Sequence, residues 1–529
     1  MSVNYCPHAV HFQYFAFIIP KMYYSRLSDI SIPSCTLERM NSVLSLKRKT
    51  IHGLSWNLIN NLSMHGVQLI IGVILARLLS PAQFGLIGMT AIFTAIALSF
   101  VDSGFSAALV RKKTCTQEEY STVFFYNMFA GICLYLLLYF SSPLISSFFD
   151  EPQLTSLVRV LSLTIIILAV SQIQRTILVK RIDFKRLTII TVVSSILSGV
   201  IAIFMDLSGL GVWSLVLRLL MRSLFESILL WVTGHWQPSI VFNTTAFREL
   251  FGFGSKLCAS SLLDTAYQNI YNVVIGKYFS AADLGFYSRA RHFSNLVGSN
   301  ISHVIQNVTY PVLSEIKDDN ERLRANFKRL LMSTSLLSCY FSLLMAACSN
   351  ALILTLIGEM WVQSIPYLQL LCFTAMLYPM HALNLNLLRV QGRSDLFLKL
   401  AIYKKILAIP TIIIGIMFGI IPMLFMLIAH SIVSFFFNSY YSAQLIHYST
   451  LMQLRHIGSS LLLSLYVMLP IYVIGMLLKM KPGFELGIQV ILAVLGGIAI
   501  LLFSNHTGAV EIRDVLVVQF RKLRRTLES

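Results

Sequence analysis

The sequence predicts an all-α integral membrane protein of about fourteen transmembrane helices, built in two halves, and three observations carry that prediction. The 529 residues are 56% hydrophobic and only 12% charged, with a mean hydropathy of +0.73. A soluble core cannot hide that much apolar surface. The apolar residues fall into runs of about 20, the length a helix needs to cross the hydrocarbon layer, and not into the ten-residue alternating strands of a barrel. The chain also repeats itself at an offset of 200 residues, where Arg77, Ser80, Ala82 and Gly85 fall on Lys277, Ser280, Ala282 and Gly285. Each copy is an apolar segment with a polar stripe, a short loop that opens on a base, and a second apolar segment, which is the signature of an internally duplicated membrane fold.

Residues 1–39 precede this pattern. They lack a basic n-region ahead of the short apolar run at 12–19 and a small-residue cleavage site after it, so they do not read as a signal peptide. The run is too short to span. One reading is an interfacial or disordered tail; the other starts synthesis at Met40, just ahead of Lys47, Arg48 and Lys49. The spans then follow at residues 52–76, 84–108, 121–140, 155–175, 188–206, 211–232, 251–276, 284–312, 329–348, 365–388, 399–418, 421–441, 457–478 and 486–503.

The basic residues orient them. Loops on one side hold Lys47, Arg48, Lys49, Arg111, Lys112, Lys113, Lys180, Arg181, Lys185, Arg186, Arg248, Lys317, Arg322, Arg324, Lys328, Arg393 and Arg455, along with the basic tail from Arg521 to Arg525. The opposite loops hold Arg77, Lys277, Lys479 and Lys481. An even number of spans and the positive-inside rule place both termini in the cytoplasm. The net charge of +18 is then a topology signal and a match to anionic lipid, and nucleic acid is not a partner.

Several function classes are excluded. The longest outer loops, 141–153 and 349–366, have room for short interfacial helices but not for a folded catalytic domain of the kind a polysaccharide polymerase or ligase uses. No phosphate-cradling GxxxxGK[ST] loop is present. The eight cysteines form no CxxC pair and the twelve histidines no HExxH pair, so the sequence calls for no metal, no cofactor and no catalytic constellation. The protein is not expected to be an enzyme.

Polar residues inside the spans carry the remaining information, because an ionised side chain near the bilayer centre costs on the order of 2.5–3.5 kcal/mol. Arg218, Arg222 and Glu226 lie at i, i+4 and i+8 on one helical face. They read either as an Arg222–Glu226 ion pair with Arg218 reaching outward, or as part of a wet cavity. Asn57, Asn61, His65 and Gln68 form a stripe in the first span. At the 200-residue offset Gln268 coincides with Gln68, beside Ser261, Asp264, Thr265, Tyr267 and Tyr271. Such paired stripes line a central cavity between the halves or bond neighbouring helices together.

The run Phe251-Gly252-Phe253-Gly254-Ser255-Lys256-Leu257, then Ile275-Gly276-Lys277, Leu284-Gly285-Phe286-Tyr287, Tyr310-Pro311-Val312-Leu313-Ser314 and Gly392-Arg393-Ser394-Asp395 follow in this order. Together with Val101-Asp102-Ser103-Gly104-Phe105-Ser106 and Arg181-Ile182-Asp183-Phe184-Lys185, the sequence resembles the polysaccharide-exporter branch of the MOP flippase superfamily, colanic-acid-type exporters above all. The resemblance runs from about Met40 to the C-terminus.

That resemblance implies two six-helix lobes related by a pseudo-two-fold axis along the membrane normal, with two further helices at the C-terminus. The expected division is a tail at 1–45, an N-lobe at 46–235, a cytoplasmic linker at 236–249, a C-lobe at 250–445, and the last two spans with the basic tail at 446–529. It also implies a flippase of the bacterial inner membrane that carries undecaprenyl-diphosphate-linked oligosaccharide outward, among membrane lipids and polysaccharide-assembly proteins. Asn272 stands where some members carry an acid, and the ion-coupling candidates are Asp102, Glu226 and Asp264. Arg218, Arg222, Lys256, Arg289 and Arg291 offer fixed positive charge to a diphosphate. Asn57, Asn61, Gln68, Gln268, Tyr267 and Tyr271 offer amides, hydroxyls and aromatic faces to sugars. The alternatives are a multidrug exporter of the same superfamily, which would favour carboxylates in its cavity where bases dominate here, and, less favoured, a polysaccharide polymerase-class membrane enzyme.

Overall fold

The computed structural model describes residues 63–477 and 480–527. The N-terminal tail, Met40, Asn57 and Asn61 lie outside the described residues. Among those described the chain is helical, with no strand. In chain order the helices are α1 (Ser63–Leu78), α2 (Pro81–Asp102), α3 (Phe105–Arg111), α4 (Gln117–Phe149), α5 (Leu154–Leu161), α6 (Leu163–Lys180), α7 (Phe184–Leu207) and α8 (Val212–Thr233). The second half holds α9 (Thr244–Tyr278), α10 (Ala281–Glu315), α11 (Asn320–Ala347), α12 (Ser349–Leu356), α13 (Ser364–Val390), α14 (Ser394–Phe418) and α15 (Ile420–Ile446). Last come α16 (Thr450–Leu477), α17 (Pro482–Phe503) and α18 (Thr507–Leu527).

Ten stretches among the described residues are long and apolar enough to cross a membrane, α2 with α3 and α5 with α6 counting as one each. With α1, α8, α9 and α10 they make the fourteen crossings expected. The long helices α8, α9 and α10 fall short of that apolarity because they carry Arg218, Arg222, Glu226, Asp264, Arg289 and Arg291. A helix that gives up apolar surface in this way needs protein or water, not lipid, on its polar face.

Local chemistry sets the helix ends. Ser80 and Ser280 cap α2 and α10 with matching capping boxes: the Ser80 amide donates to Gln83 Oε1 at 2.9 Å, and the Asp283 amide donates to Ser280 Oγ at 3.0 Å. Thr116 with Glu119 starts α4 in the same manner. One expectation changes at the end opposite the basic loops. The segment at 141–149 is not loop, because α4 continues to Phe149 through Pro143. Proline deprives the Tyr139 carbonyl of its amide donor, and the Ser142 hydroxyl supplies a replacement at 2.7 Å. The basic tail after the last span forms α18, which packs on α11 and α17. The 349–366 loop holds α12 and a 3-10 turn at Glu359–Trp361.

The helices α2 to α8 pack among themselves, as do α9 to α15, while α16 lies on α11 and α17 on α16 and α12. The halves meet through α2, which packs on both α9 and α10, and through α3 and α4, which pack on α9. A Cβ added to Gly85 would sit 1.7 Å from the Ala281 carbonyl oxygen, and one added to Gly285 would sit 1.9 Å from that of Pro81. Pro81 with Ala281 and Gly85 with Gly285 are the positions paired by the 200-residue repeat. The two contacts are therefore one contact seen twice across a pseudo-two-fold axis.

The cores are distributed unevenly across the membrane. At the outer end, opposite the basic loops, Leu75, Leu79, Phe84, Phe149, Ile275, Leu284, Trp361 and Met423 belong to one apolar cluster that spans both halves. Towards the basic loops the apolar clusters are smaller: one joins Phe105, Phe124 and Ile177 of the first half to Leu250 at the start of α9, and the other, within the second half, lies around Leu313, Phe327, Leu387 and Tyr448.

Candidate functional site

The charged residues of α8 and α10 collect in two places. Arg289 reaches from α10 into the first half. Its Cζ lies 3.9 Å from the centre of the Phe84 ring and 6.0 Å from that of Trp361, and a Cβ on Gly72 would meet its Nη1 at 3.2 Å. The Trp361 indole is fixed in turn, donating to the Ala76 carbonyl at 2.7 Å. Arg289 is an electrostatic neighbour of Arg218 on α8, and both act on His292, as does His65 of α1. Arg222 follows one turn after Arg218. Among the described residues, none of these three arginines forms an ion pair.

Glu226 does not serve as the partner of Arg222. Its carboxylate, with the side chain 7% exposed, takes Arg175 Nη1 of α6 at 2.5 Å. The Arg222–Glu226 pair read from helical spacing is thus corrected. Spacing within one helix reports which residues share a face, but a base on the neighbouring helix approaches that face head-on and makes the closer contact. Arg222, half-buried, keeps its charge uncompensated by any described carboxylate at ion-pair distance.

The second place is a cavity of 480 Å³ in the second half. Tyr267, Gln268 and Tyr271 of α9, Tyr287 and Arg291 of α10, Tyr378 and His381 of α13, Lys404 of α14 and His430 of α15 are among its walls. Its walls carry an arginine, a lysine, three histidines and four tyrosines, and no carboxylate. Arg291 sits beside the hydroxyls of Tyr287, Tyr378 and Tyr271. His381 receives an N–H from Asn438 at 3.0 Å on Nδ1 and faces Ser431 Oγ at 3.2 Å on Nε2, while His430 donates to the Lys404 carbonyl at 3.0 Å. Tyr271 Oη, Thr374 Oγ1 and Ser434 Oγ are buried on these walls without a hydrogen-bond partner. Buried polar atoms left open in this way call for a guest with hydroxyls or for water.

The other expected residues are elsewhere. Gln68 is half-buried on α1 and is not a wall of the cavity that holds Gln268. Lys256 is exposed near the start of α9. Asp264 pairs with Lys405 at 2.9 Å, and Asp102 accepts from Ser106 and from Gln172 Nε2, the latter at 3.0 Å. None of the three expected acids therefore lines the cavity. Lys404, His381 and His430 were missed by reading the sequence, although the rule that flags intramembrane charge applies to them equally.

At the outer end the two halves are also tied by matched bases. Arg77 donates from Nε to the Leu356 carbonyl at 2.7 Å and from Nη2 to that of Thr355, reaching into the second half. Lys277, its repeat partner, reaches into the first half and holds Asp150 at 2.8 Å.

The described residues thus form a multi-pass helical bundle of two lobes, with a basic interior and an apolar seal at the end opposite the basic loops. Residues 74–366, more than half of the chain, match the family described as polysaccharide biosynthesis protein, and the chain belongs to it. It is 26% identical over 355 residues to the teichuronic acid biosynthesis protein TuaB of Bacillus subtilis (strain 168), covering 66% of this chain and 73% of that protein. It is 28% identical over 379 residues to the lipopolysaccharide biosynthesis protein WzxC of Escherichia coli (strain K12), covering 70% of this chain and 76% of that one. In fold it is similar to the lipid II flippase MurJ in an inward closed conformation, with a TM-score of 0.69 at 16% identity over 88% of this chain and 100% of that chain. An inward-facing multidrug resistance MATE family transporter is also similar, with a TM-score of 0.57 at 16% identity over 74% of this chain and 100% of that one.

Proposed function

We propose that the protein flips undecaprenyl-diphosphate-linked oligosaccharide repeat units from the cytoplasmic to the periplasmic leaflet of the bacterial inner membrane, by alternating access and with both termini in the cytoplasm. One observation carries the reading: a cavity among the spans that holds Arg291 and Lys404, tyrosines and amides, with no carboxylate on its walls. Sugars fit aromatic faces and hydroxyl partners, and an anionic head fits fixed bases. An exporter of organic cations would leave Arg291 and Lys404 facing a like charge, and that disfavours the multidrug alternative.

The diphosphate belongs with Arg218, Arg222 and Arg289, three bases that no described acid neutralises by pairing. Charge-assisted hydrogen bonds to a phosphate are worth about 1.5–3 kcal/mol each, and guanidinium forks can take the oxygens two at a time. The lipid tail stays in the bilayer. Nothing is broken or made, so the work is differential stabilisation of two arrangements of the lobes. The relatives are named as proteins of teichuronic acid and lipopolysaccharide biosynthesis and, for one from Rhizobium meliloti (strain 1021), as a succinoglycan biosynthesis transport protein, which accords with this substrate class.

The test is reconstitution. Proteoliposomes with a fluorescent diphosphate-linked oligosaccharide should show transbilayer movement that Arg218→Ala with Arg291→Ala removes. Movement of a cationic dye instead, with none of the lipid-linked sugar, would overturn the reading in favour of drug export.

A further inference from the structure

Away from the seam between the lobes, α16 and α17 pack against α11, α12 and α13 and enclose two adjoining cavities on the outer half. The first, of 440 Å³, is apolar and is walled by Leu343, Leu370, Phe373, Phe425 and Leu469 among others; of these, Phe373, Phe425 and Leu469 are exposed at its mouth. The second, of 540 Å³, has mixed walls, with Asn350, Glu485 and Gln489 beside Leu354, Ile365 and Met476. Ala347, Gln369 and Tyr472 line both, so the two adjoin at these side chains. Each volume lies in the range of small-molecule sites, about 300–1,000 Å³.

The polar end is built and unfilled. Glu485 is 6% exposed and Gln489 2% exposed. The Glu485 carboxylate is approached by Gln489 Nε2 at 3.4 Å, and Gln489 Oε1 has no partner. No described base lies within ion-pair distance of Glu485, and Lys481, one turn earlier, is exposed. Glu485 stands in the first turn of α17, at the outer end of the last span, where the amide dipoles favour an ionised carboxylate. Two acceptors buried side by side call for a cation that carries several N–H donors.

We propose that the adjoining cavities bind one phospholipid with a primary-amine headgroup, of the ethanolamine class, from the leaflet on this face. The ammonium donates to Glu485 and to Gln489 Oε1, and an acyl chain lies along the apolar groove. A quaternary ammonium has no N–H to give, and a glycerol headgroup offers neutral hydroxyls but no cationic donor to offset the buried carboxylate. This site is separate from the transport cavity and does not depend on the transport reading.

The experiment is native mass spectrometry of the full chain in detergent, offered phosphatidylethanolamine, phosphatidylcholine and phosphatidylglycerol with identical acyl chains. The ethanolamine lipid should be retained about tenfold more than the other two, the equivalent of one charge-assisted hydrogen bond. Glu485→Gln should bring it down to the choline level. Gln489→Met, which removes the amide acceptor and keeps the acid, should lower the preference as well and stands in if the first variant is poorly folded. Leu469→Trp, which fills the groove, should reduce retention of all three. Equal retention by the native chain, or an ethanolamine preference untouched by Glu485→Gln and Gln489→Met, would overturn the proposal.

Discussion

Arg289 and Arg291 are two residues apart on α10 and serve opposite halves of the protein. The first stacks on Phe84 and neighbours Arg218, and the second lines the cavity among Tyr271, Tyr287 and Tyr378. Two steps of a helix turn a side chain through about 200°, so one helix at the seam presents a base to each side. If the diphosphate sits with Arg289 and the glycan with Arg291, the two should be separable. Arg289→Ala is expected to cut transport of every lipid diphosphate tested by about 10–100-fold, whatever its sugar, as the loss of one or two charge-assisted bonds requires. Arg291→Ala should act only where the glycan is present and spare a short undecaprenyl diphosphate carrying no sugar. Flipping of both substrates in proteoliposomes measures this; identical losses for both variants on both substrates would refute the division.

The Arg175–Glu226 pair predicts a contrast in abundance. Removing Arg175 leaves a buried carboxylate unpaired, a cost of about 1–3 kcal/mol, held towards the lower end because the Arg175 side chain is 43% exposed and water can replace part of it. Arg175→Ala should therefore lower the folded fraction in membranes, and Glu226→Gln added to it should restore the level. Arg222→Ala should leave abundance unchanged and lower transport. Membrane abundance by fluorescence-detected chromatography, read beside surface polysaccharide, separates them, and an Arg222→Ala variant that fails to accumulate would show that Arg222 is structural after all.

These two cases also show what the sequence could and could not reveal. The spans and the repeat were legible because hydrophobic length and a 200-residue offset are local or periodic properties, and the chain obeys them down to the paired capping boxes of Ser80 and Ser280. Arg218, Arg289 and Arg291 were legible because charge inside a span is costly wherever it falls. Which acid meets which base was not legible: Glu226 chooses Arg175 from 51 residues away, and helical spacing cannot see across to α6. The basic cavity was half-read for the same reason. Its α9 wall was visible as a stripe, whereas Lys404, His381 and His430 come from three later helices that only packing brings together. The outer loop expected from residue 141 proved to be helix as far as Phe149, because α4 runs through Pro143 and the Ser142 hydroxyl satisfies the carbonyl that the proline orphans.

Asp264 should prove dispensable to stability. Its pair with Lys405 joins side chains that are 59% and 27% exposed, and pairs of that kind contribute about 0–1 kcal/mol. Asp264→Asn is expected to fold and melt like the native chain within about 2 °C, a shift of that order following from a few tenths of a kcal/mol. A drop of more than about 5 °C in a thermal melt would mean that the acid carries more than this exposed pair.

The outer seam yields the sharpest prediction, because it can be broken in two independent ways. Backbone contact at Gly85 and Gly285 leaves no room for a side chain, with carbonyl oxygens 1.7 and 1.9 Å from where each Cβ would stand. Gly85→Ala should therefore pry α2 from α10, and Gly285→Ala should do the same by symmetry. Arg77→Ala with Lys277→Ala leaves the helices in contact but removes both polar ties, those to the Thr355 and Leu356 carbonyls and to Asp150. Both changes favour the state in which this end is open, and a cysteine at Gln268 reports on it. A membrane-impermeant maleimide added from the outer side should label that cysteine slowly in the otherwise native chain and several-fold faster in either background, with the glycine variants the stronger because a steric clash cannot be screened. Each lost tie is a partly exposed bond worth on the order of 1 kcal/mol, so the double variant should shift the population by about tenfold. Labelling that is fast in the native chain, or unchanged in both backgrounds, would mean that this end is not the closed side of the transporter.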